Sequence, residues 1–385
     1  MEYKGIIITG TSGAGKSTIV QKLATQYKHF QQVKALTTRQ PRRDDNAQYI
    51  YIDEANFQVF HDKNVLVTET CYRNEHYGIS GLEVEQVVRA GYIPILVMSP
   101  ESLKAFERLD QYLSFFIDAS DEELDKRLQQ RDQSILSDSI YERRKLDRQE
   151  ADIPNYIIHN HKVADVVELI NELWNYAGVG GTLPEKLIKH MISCDMLITD
   201  ADMQKVQGAS YDLTLGDEYY YAGEIRRLEK NNLFLKIEPY DYAIVSCKEQ
   251  ICLPKDVSAN FGLTVGLFCQ GIILSNGQQV DPGFRGTLFC LLFNTSNRVV
   301  SINRGSHYAT IEFSKMLGFA SKYKGKYQGK KDIINYIPTN VMYGAINELK
   351  KEIEELKTES RNMQTLYMGV IAIIVAALSV LMVFR

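Results

Sequence analysis

The sequence predicts a multidomain chain: an α/β domain with a mainly parallel sheet, then a mostly-β barrel or sandwich, then a coiled-coil helix and one transmembrane helix. Three observations carry that expectation. Short apolar runs alternate with amphipathic stretches to about residue 175; the pattern then changes to short β-type runs punctuated by Gly, Pro, Asn and Asp; and residues 366–384 are uncharged and almost wholly apolar. A length of 385 residues exceeds one ordinary core, so two or three domains are expected.

Residues 1–176 hold the runs "GIIIT", "PILVM", "SFFID" and "NYIIH", read as buried parallel strands, between helical stretches such as "DEELDKRLQQR" and "VADVVELINELW". Residues 177–182, "AGVGGT", form a Gly-rich joint. From 183 to 335 the runs "YAIVSC", "QGIILSN", "GTLFCLLFN" and "ATIEF" predict a β domain. Within 341–365, Met342, Ile346, Leu349, Ile353, Leu356, Ser360 and Met363 keep a 4-3 spacing, a heptad seam whose alternative is a solvated amphipathic helix. The apolar segment 366–384 matches the ~20 residues that span a bilayer core. Lys350, Lys351, Lys357 and Arg361 precede it and only Arg385 follows, so a single-pass tail anchor with the N-terminal domains in the cytoplasm is expected.

Composition narrows the partners. With 44 basic and 48 acidic residues the net charge is −4, which gives no global attraction to nucleic acid, so phosphate binding must be local. Six scattered cysteines without Cys-x-x-Cys spacing, and no His cluster, make no zinc set; they read as reduced thiols. The N-terminus "MEYKGIIITG" is too short an apolar run for an export signal. The "HNH" at 159–161 lacks a nuclease setting and reads as surface histidines.

"GTSGAGKST" satisfies G-x-x-x-x-G-K-[ST] through Gly10, Gly15, Lys16 and Ser17, between a strand and a helix. Its glycines, with Gly13, let backbone N–H groups face phosphate oxygens at a helix N-terminus; Lys16 reaches the β/γ-phosphates, Ser17 ligates Mg²⁺, and Thr18 completes the turn. ATP and Mg²⁺ are the expected cofactors. Downstream lie "ALTTRQPRRDD", "EHYGIS", "SFFIDASDEELDKRLQQRD" and "IYERRKLDRQE". In that order the segment resembles the guanylate kinases over some 170 residues. The resemblance implies that Arg39 and Arg42 hold an acceptor monophosphate with Tyr49 and Tyr77, and that Arg131 and Arg143 close over the transferring phosphoryl group. Val97 and Ser99 stand where the family carries carboxylates, and Ala35, Thr68 and Ile79 where it commonly fixes guanylate. The acceptor is then another nucleoside monophosphate or a phosphorylated sugar, or nothing is phosphorylated.

"GASYDLTLGDEYY", "VDPGFRG" and "SKYKGKYQGKKD" together resemble the dUTPase and dCTP deaminase superfamily over about 150 residues. That resemblance implies a distorted β-barrel or jelly roll, trimers with nucleotide sites at subunit boundaries, and Asp212, Asp281, Lys326, Tyr327 and Gln328 as substrate contacts. Leu291 stands where the deaminases need a proton-shuttling Glu, and Thr264-Val265-Gly266 where a phosphate-binding Arg-Ser-Ser is expected. The function expected is a membrane-anchored nucleotide-binding protein whose barrel senses a deoxynucleotide without turnover, in a setting such as antiphage or nucleotide-pool sensing. The alternative is an active kinase with a regulatory or dUTP-hydrolysing barrel. A homo-oligomer is expected in either case, a trimer from the barrel or a dimer from Ile at a and Leu at d.

Overall fold

The computed structural model describes residues 3–41, 48–72, 74–132, 138–230, 232–337 and 345–383. Its first sheet is five parallel strands in the order Phe30–Gln32, Ile93–Val97, Gly5–Gly10, Tyr112–Asp118 and Tyr156–His159. Gly5–Gly10 sits at the centre with both faces covered, which is why three consecutive isoleucines suit it: Ile6 and Ile8 enter the larger core, and Ile7 the smaller core with Val33 and Leu96. The helices Lys16–Gln26 and Val163–Asn175 pack together over one face, burying Ile19, Val20 and Leu23 against a stripe of Val166, Val167, Leu169, Ile170 and Leu173. The helix Gly81–Arg89 contributes Val87 to the other face.

A second, four-stranded sheet, in the order Tyr49–Tyr51, Ala35–Thr37, Glu75–Ser80 and Leu66–Tyr72, stands beside the first. It mixes one parallel pair with antiparallel ones. Two of its strands have only three residues, too short to show alternation, so the sequence pattern does not announce the whole sheet.

The C-terminal part is a curled antiparallel sheet of nine strands. Its path runs Gly181–Thr182, His307–Lys315, Ser210–Tyr221, Tyr242–Cys252, Arg285–Asn294 and Ile272–Ser275, with three further strands paired off it. Register shifts between Leu213 and Thr214, and between Leu215 and Tyr219, put irregularities in one long strand, and such bulges let a sheet bend round on itself. Tyr211, Leu213, Leu215 and Tyr219 point to the interior of that curl.

The two parts share a core. Gly181 and Thr182 of the Gly-rich joint pair with Lys315 and Ser314, and the helix Glu185–Ile192 lies against Val163–Asn175, with His190 Nδ1 2.8 Å from Glu172. One contiguous apolar cluster runs from Leu113 and Tyr156 through Leu173 and Ile188 to Val257 and Phe313. At its centre the Tyr156 hydroxyl and the Lys315 ammonium both donate to the buried Asp256 carboxylate, and Lys315 Nζ also donates to the Tyr156 oxygen at 2.9 Å. An isolated buried carboxylate is very unfavourable, so this pairing ties Asp256 to both domains.

Last comes a helix of 39 residues, Ala345–Val383. Its stretch Lys351–Ser379 is the one span among the described residues long and apolar enough to cross a membrane. Met342 lies outside the described residues, and Ile353, Leu356 and Met363 of the heptad seam are exposed in the single chain.

Candidate functional site

The phosphate loop bridges the central strand and the helix Lys16–Gln26. Gly15 is the N-cap at φ +90°, and the cap has no side-chain hydrogen bond, so the amides of the first turn are left for another acceptor. A Cβ at Gly15 would stand 2.8 Å from Asn160 Nδ2, and one at Gly10 would strike the Ile117 carbonyl at 1.9 Å. Asn160, buried at the end of strand Tyr156–His159, donates from Nδ2 to Ala14 O at 2.7 Å, and Arg127 Nη2 donates to Asn160 O at 2.7 Å. Thr11 Oγ1 donates to Asp118 at 2.8 Å, and Arg148 grips the same carboxylate from the far side at 2.9 Å. The loop is therefore held from the ends of two strands beside the one it follows. Lys16 Nζ donates to Gly10 O and Thr11 O, both at 2.8 Å.

The loop opens onto a cavity of about 300 Å³. Lys16, Tyr49, Tyr77 and Arg143 all line it, brought from four separate elements. Arg39 lies behind this wall: buried, it places its guanidinium 5.1 Å from the Tyr49 ring centre, and Tyr49 meets Tyr77 edge-on at 6.2 Å. Tyr77 donates to Glu75 at 3.0 Å, and burial with that bond pushes its phenol up to about 12. Arg42 lies outside the described residues, as does the side chain of Arg131 at the end of the helix Asp121–Asp132. Ser17 and Thr18 are exposed, and Ser17 opens onto a neighbouring cleft with Gln21 and Gln48.

Away from the loop the cavity is uncharged. Ala35, Ile79, Val97 and Met98 line it with a chain of hydroxyls, in which Ser99 Oγ is 2.8 Å from Ser102 Oγ and Ser102 Oγ donates to Thr70 Oγ1 at 2.7 Å. Among the described residues the single carboxylate in the lining is Asp147. It accepts from Arg143 Nε at 3.0 Å, and it faces the backbone of Ser12 in the phosphate loop, which pulls its pKa down slightly. Burial lifts its carboxyl above the usual carboxylate range, against the pull of Arg143 and Lys16. Asp147 is not among the expected contacts, and its i,i+4 spacing from Arg143 on one helix is the one local signal of its place. No group of three or more His, Cys, Asp or Glu side chains suited to a metal occurs among the described residues.

In the barrel the predicted contacts form two groups. Asp212 accepts from Gln207 at 3.0 Å and lies 3.2 Å from His307 Nε2. Asp281 accepts from Gln279 at 3.0 Å. Gln328 belongs with the Asp281 turn, since it accepts from the Arg285 N–H at 2.9 Å and donates to Gly283 O at 3.0 Å; Gly283, at φ +74°, makes that reversal. Tyr327 stacks on Tyr336 at 4.8 Å, and Lys326 lies 4.8 Å over the Tyr327 ring. Leu291 sits across the sheet from Ile244 and Ser275. The six cysteines are free, and burial pushes the Cys290 thiol up to about 12.

Known proteins resemble the two halves separately. The guanylate kinase profile matches residues 2–176, and the dCTP deaminase-like profile residues 182–316. A guanylate kinase of Prochlorococcus marinus is 30% identical over 174 residues, 43% of this chain and 93% of the relative. A dCTP deaminase of Thermococcus kodakarensis is 37% identical over 140 residues, covering 36% of this chain and 89% of the relative; one of Pyrococcus furiosus is 35% identical over 136 residues, covering 35% and 86%. With its phosphate loop in one half and its curled antiparallel sheet in the other, the chain belongs to the guanylate kinase family through its N-terminal part and to the dCTP deaminase family through its C-terminal part.

Proposed function

We propose that this chain is a membrane-anchored nucleotide-binding protein. Its N-terminal domain binds Mg-ATP, and its barrel binds a deoxynucleotide without deaminating it. The carrying observation is the convergence of Lys16, Arg143, Tyr49 and Tyr77 on the cavity at the mouth of the phosphate loop. The uncapped helix start and the glycines at Gly10 and Gly15 fit a phosphate chain. Gly13, Gly15, Lys16 and Thr18 would cradle it, and Ser17 would hold Mg²⁺, which when bound neutralises phosphoryl charge. Arg143 would place positive charge on the far oxygens, and Arg39, against the face of Tyr49, would hold that ring in place.

The uncharged end of the cavity disfavours guanylate. Guanine presents adjacent N–H donors that call for a carboxylate or an equally strong acceptor, and Ala35, Thr68 and Val97 supply none. In the barrel, Leu291 has no proton to transfer, which supports binding without deamination, with Asp212, Asp281 and the tail Lys326 to Gln328 as contacts. The boundaries 1–176, 183–335, 341–365 and 366–384 divide the labour. The coil would pair copies, as a trimer set by the barrel or a dimer set by the coil, and the final helix would hold them at a membrane, where the assembly monitors nucleotide pools. A second reading, an active nucleoside monophosphate or phospho-sugar kinase, is favoured by Arg143 reaching the same cavity as Lys16.

The two readings part in one experiment. The purified full chain is incubated with Mg-ATP, a panel of nucleoside monophosphates and the deoxynucleoside triphosphates, and both bound ligand and products are followed. Retention of ATP and one deoxynucleotide without product is expected. Stoichiometric ADP with one phosphorylated acceptor, abolished by Lys16→Ala, would establish the kinase instead.

A further inference from the structure

A second cavity, of about 240 Å³, opens between the two domains. The kinase-like side supplies Asp152 and His159, and the barrel side Lys255, Arg285 and Lys322. Lys322 Nζ lies 2.7 Å from an Asp152 carboxylate oxygen, while Lys255 donates to the backbone carbonyls of Asp152 and Pro154. Arg285 makes no side-chain hydrogen bond or ion pair among the described residues, yet its charge is felt at Asp152, His159 and Cys252. The remaining acid in the lining, Asp195, is turned to His161 Nε2 at 2.8 Å. Three cations thus converge in a lining that holds two carboxylates, of which Asp152 meets Lys322 and Asp195 is turned to His161.

Cations held together by folding repel one another unless an anion joins them, and a cleft with low-dielectric walls strengthens the attraction for that anion. Burial pulls the Lys255 ammonium below the usual lysine range, against the pull of Asp152 and with the push of the neighbouring Lys322. The fork of Arg285 and the point charge of Lys322 suit phosphate oxygens. The volume lies just under the ~300–1,000 Å³ of ordinary small-molecule sites, which favours a compact group. We propose that this interdomain cleft is a second anion site, which takes a diphosphate group between Arg285, Lys322 and Lys255. The diphosphate has two sources, inorganic pyrophosphate or the phosphate tail of a nucleotide. This site is separate from the phosphate loop and does not depend on what that loop binds.

Calorimetric titration of the full chain with inorganic pyrophosphate, and in parallel with a deoxynucleoside triphosphate, tests this. Wild-type chain and Lys16→Ala should both bind in the cleft, whereas Arg285→Ala/Lys322→Ala should weaken that binding about tenfold or more. Heat from pyrophosphate alone would identify the free ion, and heat from the triphosphate alone a nucleotide tail. The exposed single variant Arg285→Ala, checked by its melting curve against wild type, guards against a folding defect in the double one. Binding that survives Arg285→Ala/Lys322→Ala, that disappears only in Lys16→Ala, or that is absent with both probes overturns the assignment.

Discussion

Asp147 should act against nucleotide binding. Its carboxylate, 7% exposed as a side chain, occupies the Arg143 guanidinium and faces the Ser12 amide of the phosphate loop, two donors that a phosphate would use. Each hydrogen bond to a charged group contributes about 1.5–3 kcal/mol. A nucleotide that takes over one of these donors must first displace the carboxylate, and at about 1.4 kcal/mol per decade Asp147→Ala should tighten Mg-ATP binding roughly 10- to 100-fold. Asp147→Asn, which keeps the shape and removes the charge, should give a smaller gain in the same direction. The assay is equilibrium titration with a fluorescent ATP analogue, with circular dichroism to confirm that each variant is folded. The sign with pH follows. Because burial raises the folded pKa, the folded chain holds a proton there that the unfolded chain has released, so protonation of Asp147 favours the fold at low pH and that contribution fades as pH rises through the folded value. Protonation also removes the competing charge, so the gap between wild type and Asp147→Asn should narrow as pH falls. Weaker binding in Asp147→Ala at neutral pH would refute the argument and make the carboxylate a partner of the metal–nucleotide complex.

Three further outcomes are expected. Asn160→Ala removes the bond to Ala14 O that steadies the phosphate loop, and should weaken ATP binding about 2- to 10-fold in the same titration. Lys315→Met leaves the buried Asp256 without its cation and should lower stability by about 3–5 kcal/mol in chemical denaturation, whereas Lys322→Met, at an exposed pair, should lower it by about 1 kcal/mol or less. Deleting 345–385 should move the expressed chain from the membrane pellet to the supernatant; an unchanged pellet would count against the anchor.

The parallel sheet was legible because its strands are covered on both faces, so that "GIIIT" and "SFFID" read as continuous apolar runs. The phosphate loop was legible because its chemistry sits in nine consecutive residues. What escaped was non-local. Asp256 meets Tyr156 across 100 positions and Lys315 across 59, and a lone Asp, Tyr or Lys has no local signature. The hydroxyl chain from Ser99 to Thr70 was hidden for the same reason, because it joins the start of a short helix to a strand 30 residues away. In the Gly-rich joint no strand pattern is visible, yet Gly181 and Thr182 are paired into the barrel sheet.

The strand Tyr156–His159 has a consequence for taking the chain apart. One end gives its hydroxyl to the barrel's Asp256, and the residue after its other end, Asn160, holds the phosphate loop. Cut between 176 and 183, the first fragment would carry a bare apolar edge, and the second a buried Lys315–Asp256 pair opened to water. Neither half, expressed alone, is a fair surrogate for its counterpart in the joined chain. Catalytic defects measured on such fragments would report lost support before they reported lost chemistry.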